Sequence, residues 1–364
     1  MPRRSDTHDV NGTIAALLQD LAAVQTSEQR RWAYNRAAAA IRDLEGPVEA
    51  YLEKDGTLQK IRHVGPSSAR VVHEVLATGE SPTVEAAVAS SSRREAVEKS
   101  RSLRTNFLTR SQVVATLREP IPGGVLLAQY RGDLQMHSVW SDGSQTLESI
   151  VASGLERGYQ YCGVTDHSYG LPIAGGLSMT ALTEQHAAID SVNEQHRGRF
   201  RLIKGIEANI LADGTLDMTP EELRRLEIVV AAPHAALRLT TDQTERMMRV
   251  VRTPGVHILG HPRGRKYGTR PGVTAEWPRV FAEAARHQVA IEIDGDPSRQ
   301  DVDYELARIA VDAGCVLALD SDAHSAAELE YAQTAVAHAR LARVPVERVI
   351  NCWPLEQLLD WARR

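Results

Sequence analysis

Between residues 130 and 325, six short apolar runs end in order on residue types that ligate metals. Gln135-Met136-His137 closes the first, Asp166-His167 the second, Glu207 the third, His234 the fourth, His261 the fifth and Asp322-Ala323-His324 the sixth, with Asp142 following closely on the first. After the first run, the strand candidates are 159–164, 201–206, 228–232, 257–259, 289–293 and 316–319, and amphipathic helical patterns at 147–157, 179–196, 221–226, 280–287 and 303–313 lie between them. Repeated strand–helix alternation makes a parallel sheet, open or closed. In such sheets the functional side chains gather at the C-terminal strand ends. The pattern therefore predicts a barrel whose strand ends converge on a cluster of metal ions.

The donors are imidazole and carboxylate, with no thiolate. That mix suits Zn²⁺, Mn²⁺ or Fe²⁺ better than Mg²⁺ or Ca²⁺ alone. Gln135 and His137 are two residues apart, as are Asp322 and His324, so in extended backbone each pair faces one side. Nine positions (Gln135, His137, Asp142, His167, Glu207, His234, His261, Asp322 and His324) are too many for one ion. Two or three ions sharing a bridging carboxylate would use them. Closely spaced ions of this kind bind a phosphoryl group, lower the pKa of water and stabilise a leaving oxygen, so the reaction class implied is hydrolysis of a phosphate ester. Arg263, Arg265 and Lys266 follow His261 directly and are candidates to clamp substrate phosphate. Glu292 and Asp294 end another strand and are not assigned as ligands. His63, His73, His186, His196, His257, His287 and His338 fall outside the series and are read as ordinary core or surface residues.

Composition narrows the remaining classes. With 43% hydrophobic and 24% charged residues the chain reads as globular, and its net charge of -5 excludes a uniformly basic nucleic-acid coat. Cys162, Cys315 and Cys352 form no CxxC pair; a disulfide scaffold is not expected, Cys162 and Cys315 read as buried small hydrophobes, and a reducing cytoplasm fits. No stretch approaches 18 apolar residues and the first ten residues lack an apolar secretory core, so no membrane span is expected. No Gly-rich phosphate loop of the P-loop or dinucleotide kind is present.

Residues 10–90 read as short helices, with Ile61-Arg62-His63-Val64-Gly65-Pro66 forming a tight turn between two of them. Residues 91–127 read as a basic linker: between 90 and 110 there are six basic residues and two acidic, a local net of +4. The strand-and-helix texture fills 128–364.

The motifs Asp133-Leu-Gln-Met-His-Ser138, Trp140-Ser-Asp-Gly143, Thr165-Asp-His-Ser168, Gly205-Ile-Glu207, Gly260-His-Pro262 and Ser321-Asp-Ala-His324 resemble those of the polymerase and histidinol phosphatase (PHP) superfamily. The resemblance covers 128–364 and implies an α/β fold, a distorted (β/α)7 barrel with a trinuclear centre of Mn or Zn, with Fe also compatible. It implies that His137 binds a first metal, that Glu207 bridges it to a second and that Asp322 supports it. His234 and His261 would complete the second, and Asp142, His167 and His324 would hold the third; Glu207, Asp322 and His324 are the residues expected to carry catalysis. One departure stands out: the family motif opens His-x-His, and here it opens Gln135-Met136-His137. A neutral amide oxygen is a weaker donor than imidazole to a borderline metal.

Residues 10–90 are similar to the small all-α helix-hairpin-helix domain that opens family-X DNA polymerases. That similarity implies sequence-independent binding of the DNA backbone by Val64, Gly65, Ser67, Ala69 and Arg70, where N–H groups at a helix start face phosphate. The family's lyase lysine falls on Val71, which has no amine for Schiff-base chemistry, so no lyase activity is expected. Taken together the chain resembles a family-X polymerase without its polymerase core. The expected function is a metal-dependent phosphoesterase acting at nucleic-acid strand ends, with DNA as partner. The alternatives are a small-molecule phosphomonoesterase of the histidinol-phosphatase type and a non-catalytic DNA-binding protein.

Overall fold

The structure is a computed structural model that describes residues 9–363, and the chain divides into two compact units, 1–118 and 119–364. The first unit is all helical: α1 (Val10–Val24), α2 (Glu28–Arg42), α3 (Pro66–Thr78), α4 (Pro82–Ala89), α5 (Arg94–Ser102) and α6 (Arg110–Arg118). Its core is built from one face of each of the first five: Ile14 and Leu18, Ala38 and Ile41, Val71 and Val75, Val84 and Val88, and Val97. Capping fixes the helix starts, with Ser27 accepting from Arg30 N–H and Ser81 from Val84 N–H. Gly79, at φ +79°, ends α3 in the left-handed conformation that glycine adopts without strain.

The turn expected at 61–66 is present. Ile61 is buried, His63 takes φ +67°, Gly65 precedes α3 and Pro66 is its first residue. Gly65, Ser67 and Arg70 are exposed, whereas Val64 packs against the core and Ala69 is half-buried. Val71, at the position of the expected lysine, is fully buried core.

Residues 91–127 do not form the basic linker that their charge suggests. Helices α5 and α6 belong to the helical unit, and the buried Asp20 is what holds the cations there: Arg101 Nε lies 2.6 Å and Arg104 Nη1 2.7 Å from its two oxygens. Arg93 donates to the Ala23 carbonyl, and Arg94 pairs with Glu98. A run of like charge in sequence is here absorbed by carboxylates and carbonyls, most of them distant in the chain. Asp20→Ala leaves Arg104, whose side chain is only 9% exposed, without its counter-charge. The expected loss is on the order of 3 kcal/mol, read from the denaturant midpoint of the helical unit's transition; an unchanged midpoint would show that Asp20 is dispensable.

The second unit begins earlier than the motifs alone indicate, since Arg340 donates to the carbonyls of Glu119 and Val125 (2.8 Å to the latter). Seven parallel strands follow in sequential order: β1 (Gly132–Asp133), β2 (Tyr161–Val164), β3 (Arg201–Asn209), β4 (Ile228–Ala232), β5 (Ile258–Leu259), β6 (Ala290–Asp294) and β7 (Leu317–Asp320). A parallel bridge between Met136 and Ala323 joins the last strand region to the first, giving the (β/α)7 barrel. The connecting helices are α7 (Leu147–Glu156), α8 (Met179–Gln195), α9 (Pro220–Leu223), α10 (Thr244–Val251), α11 (Trp277–Arg286), α12 (Tyr304–Asp312) and α13 (Ala332–Leu341), followed by α14 (Leu355–Ala362). Thr146, Ser178, Thr219 and Asp303 cap α7, α8, α9 and α12 through their side-chain oxygens.

The barrel floor is apolar. Leu134, Tyr161, Ile203, Ile228, Ile258, Ala290 and Ala318 pack against Ile350, Leu358 and Trp361 from the C-terminal segment. The Tyr161 hydroxyl donates into carbonyls of that segment, 2.9 Å from Trp353 O. A sealed floor leaves the opposite, C-terminal strand ends free to carry polar side chains. All three cysteines are free and buried. Among the described residues no helix is long and apolar enough to cross a membrane.

Candidate metal centre

Glu207 is the hub. It sits inside the long strand β3, where the chain at Asp166–Ser168 runs parallel to it: Glu207 N–H donates to Asp166 O (3.1 Å) and Ser168 N–H to Glu207 O (3.0 Å). Its side chain is 1% exposed and faces four imidazoles. Oε1 lies 3.0 Å from His261 Nε2 and 3.2 Å from His234 Nε2; Oε2 lies 3.2 Å from His167 Nδ1 and 3.3 Å from His137 Nε2. His234 and His261 each follow their strands by two residues, and His137 and Asp322 arrive from the β1 and β7 ends with His137 Nε2 3.0 Å from Asp322 Oδ1. Asp142 approaches from the loop after His137, with Oδ1 3.5 Å from His324 Nε2 and 3.7 Å from His167 Nε2.

Eight of the nine sequence-predicted positions thus meet, and the ninth, Gln135, lies against Asp322, its Nε2 3.4 Å from Oδ1. Three sets of donor atoms are close enough to share an ion: His137, Glu207 and Asp322; His167, Glu207 and His234; and His137, Asp142, His167 and His324. The fit to metal ions has a direct structural sign. His137 Nδ1 and His261 Nδ1 are buried without a hydrogen-bond partner among the described residues, and buried polar atoms are ordinarily satisfied. His137 stacks on His324 (4.2 Å between ring centres) and on His167 (4.4 Å), crowding three imidazoles into one face of the cluster.

The electrostatics agree. Burial pushes carboxyls up, yet the imidazoles of His167, His234 and His137 hold Glu207 well below the usual range. Asp322 is likewise held low, against burial, by the Arg299 guanidinium and His137. Beneath them lies a layer of wholly buried carboxyls. Burial and Asp320 push Asp133 up to about 8, burial raises Asp320 to about 6, and burial with their acidic neighbours pushes Glu292 and Asp294 well above the usual range.

Several side chains hold the donors in place. Asn209 Oδ1 lies 3.2 Å from His234 Nδ1. Asp166 accepts from Ser138 N–H (2.8 Å), from the Ser138 hydroxyl (2.6 Å), from the Gln185 amide (2.6 Å) and from the Ser141 hydroxyl, fastening the loop that carries Asp142. Glu328 accepts from His324 N–H at 2.7 Å.

The phosphate clamp expected of Arg263 and Arg265 is not what these residues form. Arg263 pairs with Asp301 (2.9 Å) and Asp303 (2.8 Å), and Arg265, 6% exposed, donates to the carbonyls of Arg299 (3.0 Å) and Gln300 (2.7 Å). Both are absorbed by the loop after β6. Lys266 is exposed in a tight backbone turn with Arg270 and is not among the groups at Glu207. The cation that does reach the cluster is Arg299, which no sequence motif singles out. It pairs with Asp322 and lies 3.5 Å from Asp294, while its side chain remains 25% exposed. Its only sequence signal is its address, five residues beyond the end of β6.

Comparison with known proteins agrees with both units. A helix-hairpin-helix domain family matches residues 9–81. Over 239 residues, 65% of this chain, the sequence is 33% identical to the DNA polymerase/3′-5′ exonuclease PolX of Bacillus subtilis, of which it spans 42%. It is 29% identical over 252 residues to a probable phosphatase of Serratia proteamaculans, covering 95% of that protein, and 28% identical over 237 residues to the probable phosphatase YcdX of Escherichia coli, covering 91%. Among solved structures, the histidinol phosphate phosphatase of Lactococcus lactis complexed with zinc, L-histidinol and phosphate aligns over 58% of this chain and 94% of its own, with 17% identity and a TM-score of 0.44.

Proposed function

We propose that this chain, whose N-terminal unit matches a helix-hairpin-helix family and whose second unit is a (β/α)7 barrel resembling the PHP type, is a metal-dependent phosphoesterase acting in the cytoplasm on nucleic-acid strand ends, as a 3′ exonuclease or 3′-end-processing enzyme. The observation that supports it most is the convergence of four imidazoles on the two oxygens of one buried carboxylate, Glu207. Divalent ions bound there would polarise a phosphoryl group, lower the pKa of a water and neutralise a leaving oxygen. His137 and Asp322, with Gln135, would hold the first; His234 and His261 the second; Asp142, His167 and His324 the third, with Glu207 shared between the first and second. Asp142 and His324, with side chains 36% and 30% exposed, are the most accessible members and mark the side from which substrate arrives. Arg299 stands at the same cluster with a guanidinium able to take phosphate oxygens.

The nucleic-acid part of the reading is supported by the helix-hairpin-helix match and by charge. From Gln59 to His73 the hairpin and α3 carry Lys60, Arg62 and Arg70, all exposed, and no carboxylate. Three phosphate contacts predict a log–log dependence of DNA affinity on salt with a slope of about −2 to −3; fluorescence anisotropy from low to high salt reads it, and a flat response would remove the backbone grip.

A second reading, hydrolysis of a small phosphomonoester, is favoured by the near-complete span of the Serratia relative named probable phosphatase. Both are tested together by presenting 3′-labelled single- and double-stranded DNA and histidinol phosphate to the enzyme with Mn²⁺ or Zn²⁺. Release of 3′ nucleotides or 3′ phosphate supports the first reading; turnover of the small ester alone overturns it.

A further inference from the structure

Gln135 occupies the position where the barrel's opening motif ordinarily presents imidazole, and the structure shows what surrounds it. The side chain is fully buried between two carboxylates, Asp322 and Glu292. Its amide has two settings. In one, Nε2 lies 3.4 Å from Asp322 Oδ1 and the oxygen is pressed against the Glu292 carboxylate, acceptor against acceptor. Turned over, Nε2 donates to Glu292 Oε1, with Oε2 at 3.3 Å, and the oxygen takes the place beside Asp322. Glu292 is itself immobile, fully buried in β6, with Oε2 already accepting from His261 N–H and Asp320 lying against it.

We infer that Glu292 is a positioning residue that turns Gln135 into an oxygen donor for the first metal position. The inference rests on the metal-centre reading above. A cation among His137, Glu207 and Asp322 repels an amide NH₂ and attracts an amide oxygen, so it selects the second setting. Glu292 then gives the displaced NH₂ a buried acceptor. Without Glu292 the amide nitrogen would be left unpaired in the barrel, a costly state for a buried donor, or would turn back toward Asp322. The resulting donor set is three oxygens, from Gln135, Glu207 and Asp322, and one nitrogen, from His137. An imidazole at 135 would make it two and two. Oxygen donors shift preference toward Mn²⁺ and away from Zn²⁺, so the Gln135–Glu292 pair sets the metal selectivity of this position.

The test is a double-mutant cycle on metal binding, read by titration calorimetry and chelator competition with Mn²⁺ and Zn²⁺, without any turnover. Glutamine at 292 replaces one of the two acceptor oxygens by an NH₂ donor, which is set against either His261 N–H or the Gln135 amide. Glu292→Gln is expected to weaken one Mn²⁺ equivalent by about 10–100-fold, the usual range for partners that orient a ligand. Gln135→Ala is expected to do the same, and the double variant to be no worse than either single one. Multiplicative losses, or wild-type affinity in Glu292→Gln, overturn the inference while leaving the metal centre standing. If the wild-type protein binds no metal at the cluster, the centre and this inference fail together. Should the buried Glu292 variant not fold, Gln135→His carries the test: it is expected to raise Zn²⁺ affinity relative to Mn²⁺ at least about 10-fold, and an unchanged ratio overturns the inference.

Discussion

Replacing Glu207 by glutamine is expected to lower phosphoesterase turnover by about 10³-fold or more, because on the proposed reading metal-assisted hydrolysis depends on the position Glu207 would bridge. One carboxylate serves two pairs of imidazoles, His234 with His261 on one oxygen and His137 with His167 on the other. An amide keeps the volume and removes both the charge and one acceptor. The barrel survives, since β3 is held by its backbone pairing to β2 and β4. The signature is therefore a folded protein with fewer bound metal equivalents. At a free metal concentration of 100 times Kd, the native chain gains about 2.7 kcal/mol of stability, a gain that shrinks in the variant. Elemental analysis, thermal melts with and without Mn²⁺, and turnover read the three effects. Full metal content with unchanged turnover would remove Glu207 from the centre.

Arg299→Ala is expected to lower kcat/KM by about 10²–10³-fold, the scale for losing a fixed donor to a charge-bearing oxygen, while leaving metal content unchanged. That separation distinguishes it from the loss of a ligand. The guanidinium rests on Asp322 and Asp294, and its loop is braced from behind by Arg265 on the Arg299 and Gln300 carbonyls. Arg299→Lys keeps the charge without the planar fork and should recover only part of the loss. If the arginine serves only to neutralise Asp322, the alanine variant will instead lose stability or gain metal affinity with kcat intact.

The barrel was legible in the sequence because strand ends announce themselves twice, by the apolar run and by the polar residue that stops it. Each of the strands β2 to β7 lies within about two residues of its expected position at the N-terminal end, and eight of the nine donor positions converge, with Gln135 against Asp322. Pairing between loops was not legible. Arg263 and Arg265 sit directly after a donor histidine, as good an address as Arg299 has, yet Asp301 and Asp303 claim them. Nothing in spacing tells which of several cations a carboxylate some 40 residues away will take. The charged stretch at 91–118 misled for the same reason: Asp20, far upstream, holds Arg101 and Arg104. Glu292 was seen as a strand-end residue, but its bearing on Gln135 needs two strands in register.

The apolar floor carries a consequence for how the chain is made. Ile350, Leu358 and Trp361 close the bottom of a barrel whose first strand begins at Gly132. A nascent chain therefore exposes the undersides of its strands until those residues have left the ribosome, whereas the main core cluster of the helical unit is complete by Val97. Domains ordered in this way mature from the N-terminus during synthesis. The nucleic-acid-binding type of unit is thus ready before the catalytic type, and the barrel's interval of exposure is set by the time needed to translate about 230 residues, roughly 10–50 s at ordinary elongation rates.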